Sequence, residues 1–123
     1  MKTFEAIGNI FCISPVLKKL ACRGSSNSET VCFKLDRYVR KADLSECSCT
    51  VKTRNSEGIS DLVIPEVTAD DKKLNVLWTL SSGTTATAGP LFVQIQFEKI
   101  FDDKSRNVNW QSNVMEFEIA ESL

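Results

Sequence analysis

The chain of 123 residues contains no histidine. That absence excludes Ser-His-Asp and Cys-His nucleophile systems outright. It also removes a ligand that often completes a zinc site. Neither sign of charge is in excess: 15 basic and 16 acidic side chains leave a formal charge of -1. A nucleic-acid binder carries a basic surplus, so no nucleic-acid partner is expected. The local basic group of Lys34, Arg37, Arg40 and Lys41 reads as solvated strand-edge and turn charge. No apolar run approaches the length of a membrane span, and no membrane partner is expected. Residues 4–17 are moderately apolar, but Glu5, Gly8, Asn9 and Pro15 interrupt them. They make a poor signal-peptide core, which points to synthesis in the cytoplasm. No Walker motif, GxGxxG fingerprint or EF-hand loop occurs. Carboxylates are many, but Asp70-Asp71 and Asp102-Asp103 lie in polar connections and read as turn residues. The expectation is a protein that is not an enzyme and has no cofactor and no metal.

Cysteine is present in an odd count of five: Cys12, Cys22, Cys32, Cys47 and Cys49. Without a secretion signal, free thiols are the default. Cys47 and Cys49 would share one face of a strand, a closer spacing than the pairs that usually bind zinc. Burial as small hydrophobes is the reading preferred for all five, over a zinc site or a disulfide formed after release from a cell.

What the sequence has in plenty is period-two alternation. In LFVQIQF, residues 91–97, Leu91, Val93, Ile95 and Phe97 share a face opposite Gln94 and Gln96. In LNVLWTL, residues 74–80, Leu74, Val76, Trp78 and Leu80 share a face. One apolar face at a period of two marks a half-buried β-strand. The small, polar segment SSGTTATAGP connects the two. Residues 29–40 predict a central strand with apolar character on both faces, and 41–45 a connection. Residues 46–53 alternate with Cys47, Cys49 and Val51 inward; residues 54–58 form a hairpin-type loop, and a short strand at 59–64 ends at Pro65. Residues 67–73 read as a polar turn and 101–109 as a polar loop. Met115, Phe117 and Ile119 mark a final strand before a tail at 120–123. Towards the N-terminus, residues 7–13 suggest a strand with a bend at Gly8, and PVLKKLAC, residues 15–22, is the sole helix candidate. The predicted fold is all-β: an antiparallel β-sandwich of seven or eight strands with at most one short helix. Residues 1–28 are expected to be an N-terminal arm or first strand, and 29–123 the sandwich, one domain overall.

The order ETVCFKLDRYVRKADLS, CSCTVKTRNSEG, KKLNVLWTLSSGTTATAGPLFVQIQFEK and VNWQSNVMEFEIAESL resembles the N-terminal β-sandwich module of tail, baseplate and head-fibre proteins of phages infecting Gram-positive bacteria, in general plan upper-baseplate-protein-like. The likeness rests on the turn Asp43-Leu44-Ser45, the strand through Val76 and Trp78, the segment from Gly89 to Phe97, and the closing run from Trp110-Gln111-Ser112 to Glu121-Ser122-Leu123. It covers residues 29–123 and carries no catalytic residues. It implies a virion location and assembly with copies of the chain itself and other virion structural proteins. Many relatives of this kind continue into a coiled coil or fibre domain. The sequence in hand ends at Leu123, which favours an adaptor, decoration or anchoring piece over a fibre.

On that reading the residues expected to touch partners are Phe4, Ile7 and Phe11 in the N-terminal arm, with Phe92 and Trp110. Phe92 falls on the polar side of its strand, so it is either exposed or packed under a loop or against the helix-like segment. Trp110 either caps the sandwich or faces a partner. Trp78, on an apolar face, belongs to the core. The alternative function is a carbohydrate-binding β-sandwich for a bacterial cell-surface glycan, using Trp110 with Asn107, Asn109, Gln111 and Asn113.

Overall fold

The two alternating runs become central strands of two different sheets in the computed structural model, which describes residues 1–103 and 106–122. In the smaller sheet, β1 (Lys2–Glu5), β3 (Thr30–Asp36), β9 (Lys73–Thr79) and β8 (Glu66–Ala69) lie side by side in that order. In the larger, the order is β2 (Lys19–Cys22), β12 (Met115–Ala120), β10 (Gly89–Lys99), β6 (Ser48–Arg54) and β7 (Ser60–Val63), with β11 (Val108–Gln111) also on β10. A small hairpin, β4 (Tyr38–Val39) with β5 (Ala42–Asp43), completes the set.

Alternation explains the packing. Leu74, Val76 and Trp78 of β9, and Leu91, Val93, Ile95 and Phe97 of β10, are all buried. Phe33 on β3 lies at the centre of an aromatic group. Its ring is 5.4 Å from Phe11, 6.0 Å from Phe4, 6.3 Å from Trp78 and 6.3 Å from Phe117 on the other sheet. The inner faces of the two sheets thus share one core. Truncating any one of these rings to alanine costs about 3–5 kcal/mol by lost transfer energy and cavity formation.

The fold is all-β, but the expected antiparallel sandwich of seven or eight strands is corrected. The described residues form twelve strands in mixed sheets, because β1 runs parallel to β3 and β2 parallel to β12. Both exceptions come from the N-terminal segment, which adds one edge strand to each sheet. Between them the chain makes a tight turn, where Ile7 and Ile10 exchange backbone hydrogen bonds of 3.0 and 3.1 Å around Gly8 at φ 64°. The strand expected at 7–13 is therefore a turn followed by an extended crossing. The helix expected at 15–22 is a single 3-10 turn, Pro15–Leu17, and then β2. Leu20 is buried there as a strand residue, since β2 gains backbone partners from β12 that a two-turn helix would forgo.

Three further expectations change. The connection at 41–45 holds β5, paired back to β4 across Arg40 and Lys41 at φ 49° and 70°. The polar turn at 67–73 begins as strand β8; its turn proper is closed by Asp70, whose Oδ1 accepts from the amides of Lys72 and Lys73 at 2.9 and 2.7 Å. Cys12 and Cys22 are exposed rather than buried, while Cys32 and Cys49 are buried and Cys47 half-buried. Of the loop at 101–109, Lys104 and Ser105 lie outside the described residues, as does Leu123 of the closing motif.

β11 and β12 are one strand broken by a bulge. Gln96 faces Gln111 and Val93 faces Met115, so Gln94 and Ile95 oppose Ser112, Asn113 and Val114. The bulge is satisfied locally: Ser112 and Ile95 exchange two hydrogen bonds of 2.9 Å. It also anchors the N-terminal crossing, because Asn113 accepts from the Phe11 amide at 2.8 Å and donates to the Phe11 carbonyl at 3.0 Å.

Candidate interaction surface

The outer face of the larger sheet is built by the other half of the same alternation. Opposite the buried residues of β10 stand Phe92, Gln94, Gln96 and Glu98; opposite those of β6 stand Thr50, Lys52 and Arg54; opposite those of β12 stand Glu116 and Glu118. Register places Arg54, Phe92 and Glu116 in one row across three strands. The Arg54 guanidinium lies over the Phe92 ring at 5.3 Å, a cation–π contact that half-buries the ring and holds the charge at the surface. Leu62 on β7 and Val114 on the bulge, 64% and 58% exposed, line the same shallow depression of about 760 Å³.

A second concavity, a groove of about 990 Å³, lies between the β4–β5 hairpin and the β10–β11 connection. Tyr38, half of it exposed, and Phe101 line it. Lys99 and Arg106 sit over the Phe101 ring at 4.8 and 4.5 Å. The wall of the groove is fixed by a two-pronged ion pair: Arg37 donates to both Asp43 oxygens, at 3.1 and 3.0 Å. Asp43 also accepts from the Ser45 amide at 3.0 Å and hydroxyl at 2.6 Å. The Arg37 fork, and then Ser45, hold the Asp43 carboxyl far below the usual carboxylate range. Arg37, expected as solvated turn charge, is instead paired, and its third contact goes to the Asp70 carbonyl at 3.0 Å.

The residues expected to touch partners are not brought together. Phe4 and Phe11 are buried in the chain's own core, 4% and 2% exposed, because the N-terminal segment folds onto its own sheets. Trp110 is buried against Phe97, ring to ring at 5.7 Å. Ile7 is 85% exposed at its turn, and Phe92 is half-buried under Arg54. The amide cluster proposed around Trp110 is largely occupied. Asn107 accepts from the Phe101 amide at 2.8 Å, Asn109 accepts from Gln96 at 3.0 Å, and Asn113 holds Phe11. Lys52, Arg54, Leu62 and Val114 were not among the expected contact residues. Their assembly around Phe92 depends on strand register, which a single sequence does not display.

Burial raises the Cys32 and Cys47 thiols and pushes Cys49 up to about 12. Among the described residues no group of three or more histidine, cysteine, aspartate or glutamate side chains is placed to hold a metal ion. Compared with known protein families, with curated proteins and with solved structures, the chain matches none.

Proposed function

We propose that the protein is a non-enzymatic structural component of a phage or prophage particle, a β-sandwich that acts as an assembly, anchoring or decoration module through protein–protein contacts. The observation that carries this reading is the outer face of the larger sheet. An aromatic ring, two exposed aliphatic side chains and charged side chains of both signs are set on a surface that the rest of the described chain leaves uncovered. A shallow sheet face with a ring at its centre suits docking between protein surfaces. The order of segments from Glu29 onward, with its likeness to tail and baseplate modules, supplies the particle context. Peptide mass spectrometry on density-purified particles tests the reading. Peptides of this chain should appear in stoichiometric proportion to other particle proteins, and their absence from intact particles would reject it.

A second reading, recognition of a cell-surface glycan, is favoured by one feature. Tyr38 and Phe101 share the groove with Asn9 and Gln111. Sugar binding draws on such aromatic and amide surfaces. Calorimetric titration with host cell-wall glycan, repeated on Tyr38→Ala, tests it; heat that Tyr38→Ala does not diminish, or no heat at all, excludes this groove.

A further inference from the structure

The groove between the β4–β5 hairpin and the β10–β11 connection carries a positive surplus that the chain as a whole does not. Its carboxylates are Asp36, Asp43 and Glu46, and each already has a cation: Lys73 at 2.7 Å, Arg37 at 3.0 Å and Lys99 at 3.6 Å. Arg40, Lys41 and Arg106 line the same groove, and among the described residues none of the three has a carboxylate partner. The formal charge of the chain is -1, so this excess comes from placement and not from composition. The cations are also held in position. Arg106 sits over the Phe101 ring, a contact that fixes the guanidinium without neutralising it. Arg40 and Lys41 occupy left-handed backbone, at φ 49° and 70°. Asn-Gly would close that turn with less strain, so the fold itself does not call for two long cations there. Backbone strain of this kind gathers at ligand clamps and other functional positions.

We propose that the groove receives an extended acidic segment of a partner protein, whose carboxylates pair with Arg40, Lys41 and Arg106. The wall opposite the hairpin favours a peptide over other anions. All four residues of β11 line the groove, and β11 pairs with β10 alone, so its second edge is open to an added strand. One place on that edge is taken, because the Asn9 side chain donates to the Gln111 carbonyl at 3.1 Å. The guanidinium forks of Arg40 and Arg106 suit carboxylates, which they bind through paired N–H donors. A sugar would need an open ring face, and the Phe101 ring carries Lys99 as well as Arg106. A nucleic acid would need a basic surface broader than three charges. The groove adds a second contact surface to the protein-contact reading above, and its assignment rests on that reading.

Fluorescence anisotropy on the full chain tests the idea. The probe is a short labelled peptide of alternating glutamate and threonine, at low salt, where exposed pairs are least screened. Binding is expected, and the same peptide with glutamine in place of glutamate should not bind. Arg40→Asn with Lys41→Gly should weaken binding about tenfold, and Arg106→Gln about threefold, the worth of two exposed ion pairs and of one. The double change relaxes the turn, so lost binding is not lost fold; urea unfolding checks this, and Arg106→Gln decides alone if the turn variant proves unstable. Lys52→Gln with Arg54→Gln removes positive charge from the outer sheet face and should leave binding unchanged. No binding, equal binding of the glutamine peptide, or an affinity that ignores the groove substitutions each overturns the proposal. Oligothymidylate or sulfated dextran that occupies the groove more tightly than the peptide at equal charge overturns the peptide assignment. Particle peptides recovered for a chain that ignores the acidic probe would sink the groove contact and leave the particle reading standing. A chain that binds the probe through the groove but is absent from particles would do the reverse.

Discussion

Asp43 is the residue on which pH acts most directly. Its carboxyl is depressed in the folded state by the Arg37 fork and by Ser45. A depressed value contributes stability that is complete above the unfolded value of about 3.9 and is lost as pH falls through the folded one. Asp43→Asn should therefore be less stable than the parent at neutral pH. Below about pH 5 the gap should shrink. Urea midpoints measured for both proteins across pH 3 to 7 check this; a gap that stays constant would mean the pair contributes through packing and not charge. Trp78 offers a second residue-scale test. It is fully buried and stacked on Phe33, yet its Nε1 has no hydrogen-bond partner among the described residues. An unpaired buried donor costs about 1–3 kcal/mol. Trp78→Phe relinquishes that cost together with the indole's extra volume, so it should destabilise by less than about 2 kcal/mol, against about 3–5 for Trp78→Ala. Urea unfolding measures both, and equal losses would show that the indole N–H is not a liability.

At the scale of elements, the β4–β5 hairpin is closed by the wrong residues for its geometry. Arg40 and Lys41 both hold left-handed backbone, at φ 49° and 70°. A two-residue turn of this kind prefers Asn-Gly, and left-handed conformation costs an ordinary side chain roughly 1–2 kcal/mol. Arg40→Asn with Lys41→Gly should stabilise the protein by about 1 kcal/mol and raise Tm by about 4 °C for a domain of this size. Differential scanning calorimetry measures the shift; an unchanged or lower Tm would mean that the two basic side chains contribute more than the strain costs. The same hairpin shows why some elements were legible in the sequence and others were not. β9 has three and β10 four alternating buried apolar residues, so their pattern announces itself. β4, β5 and β8 offer no fully buried position, and no periodicity can be read from them. β1 and β2 have one buried residue each, Phe4 and Leu20. Their partners are strands far along the chain, paired in parallel, and nothing local signals that. The candidate contact face suffered likewise: Phe92 was conspicuous alone, but Arg54 and Glu116 join it only through register.

For the whole molecule, the N-terminal segment decides whether the two sheets form one body or a weaker pair. An arm that reached outward would be dispensable to the fold. Here residues 1–22 place β1 on the smaller sheet, cross the core with Phe11, and place β2 on the larger sheet. Phe4 contacts Phe33 at 6.0 Å and Phe117 at 5.3 Å, so it touches both sheets at once. Asn113 fastens the crossing through both backbone groups of Phe11, and Lys18 pairs with Glu116 beyond it. Loss of Phe4, Phe11 and Leu20 together would cost about 8–15 kcal/mol if each contributed as a typical core truncation, more than or equal to the whole stability of most domains. A chain beginning at Arg23 should therefore lack a cooperative unfolding transition and lose its near-ultraviolet circular dichroism. Adding a peptide of residues 1–22 in trans should restore part of that signal, because the two edge strands and Phe11 have preformed positions to occupy. If the shortened chain instead unfolds cooperatively at a midpoint near that of the parent, the segment is an appendage after all, and Phe4 and Phe11 become available to a neighbouring subunit.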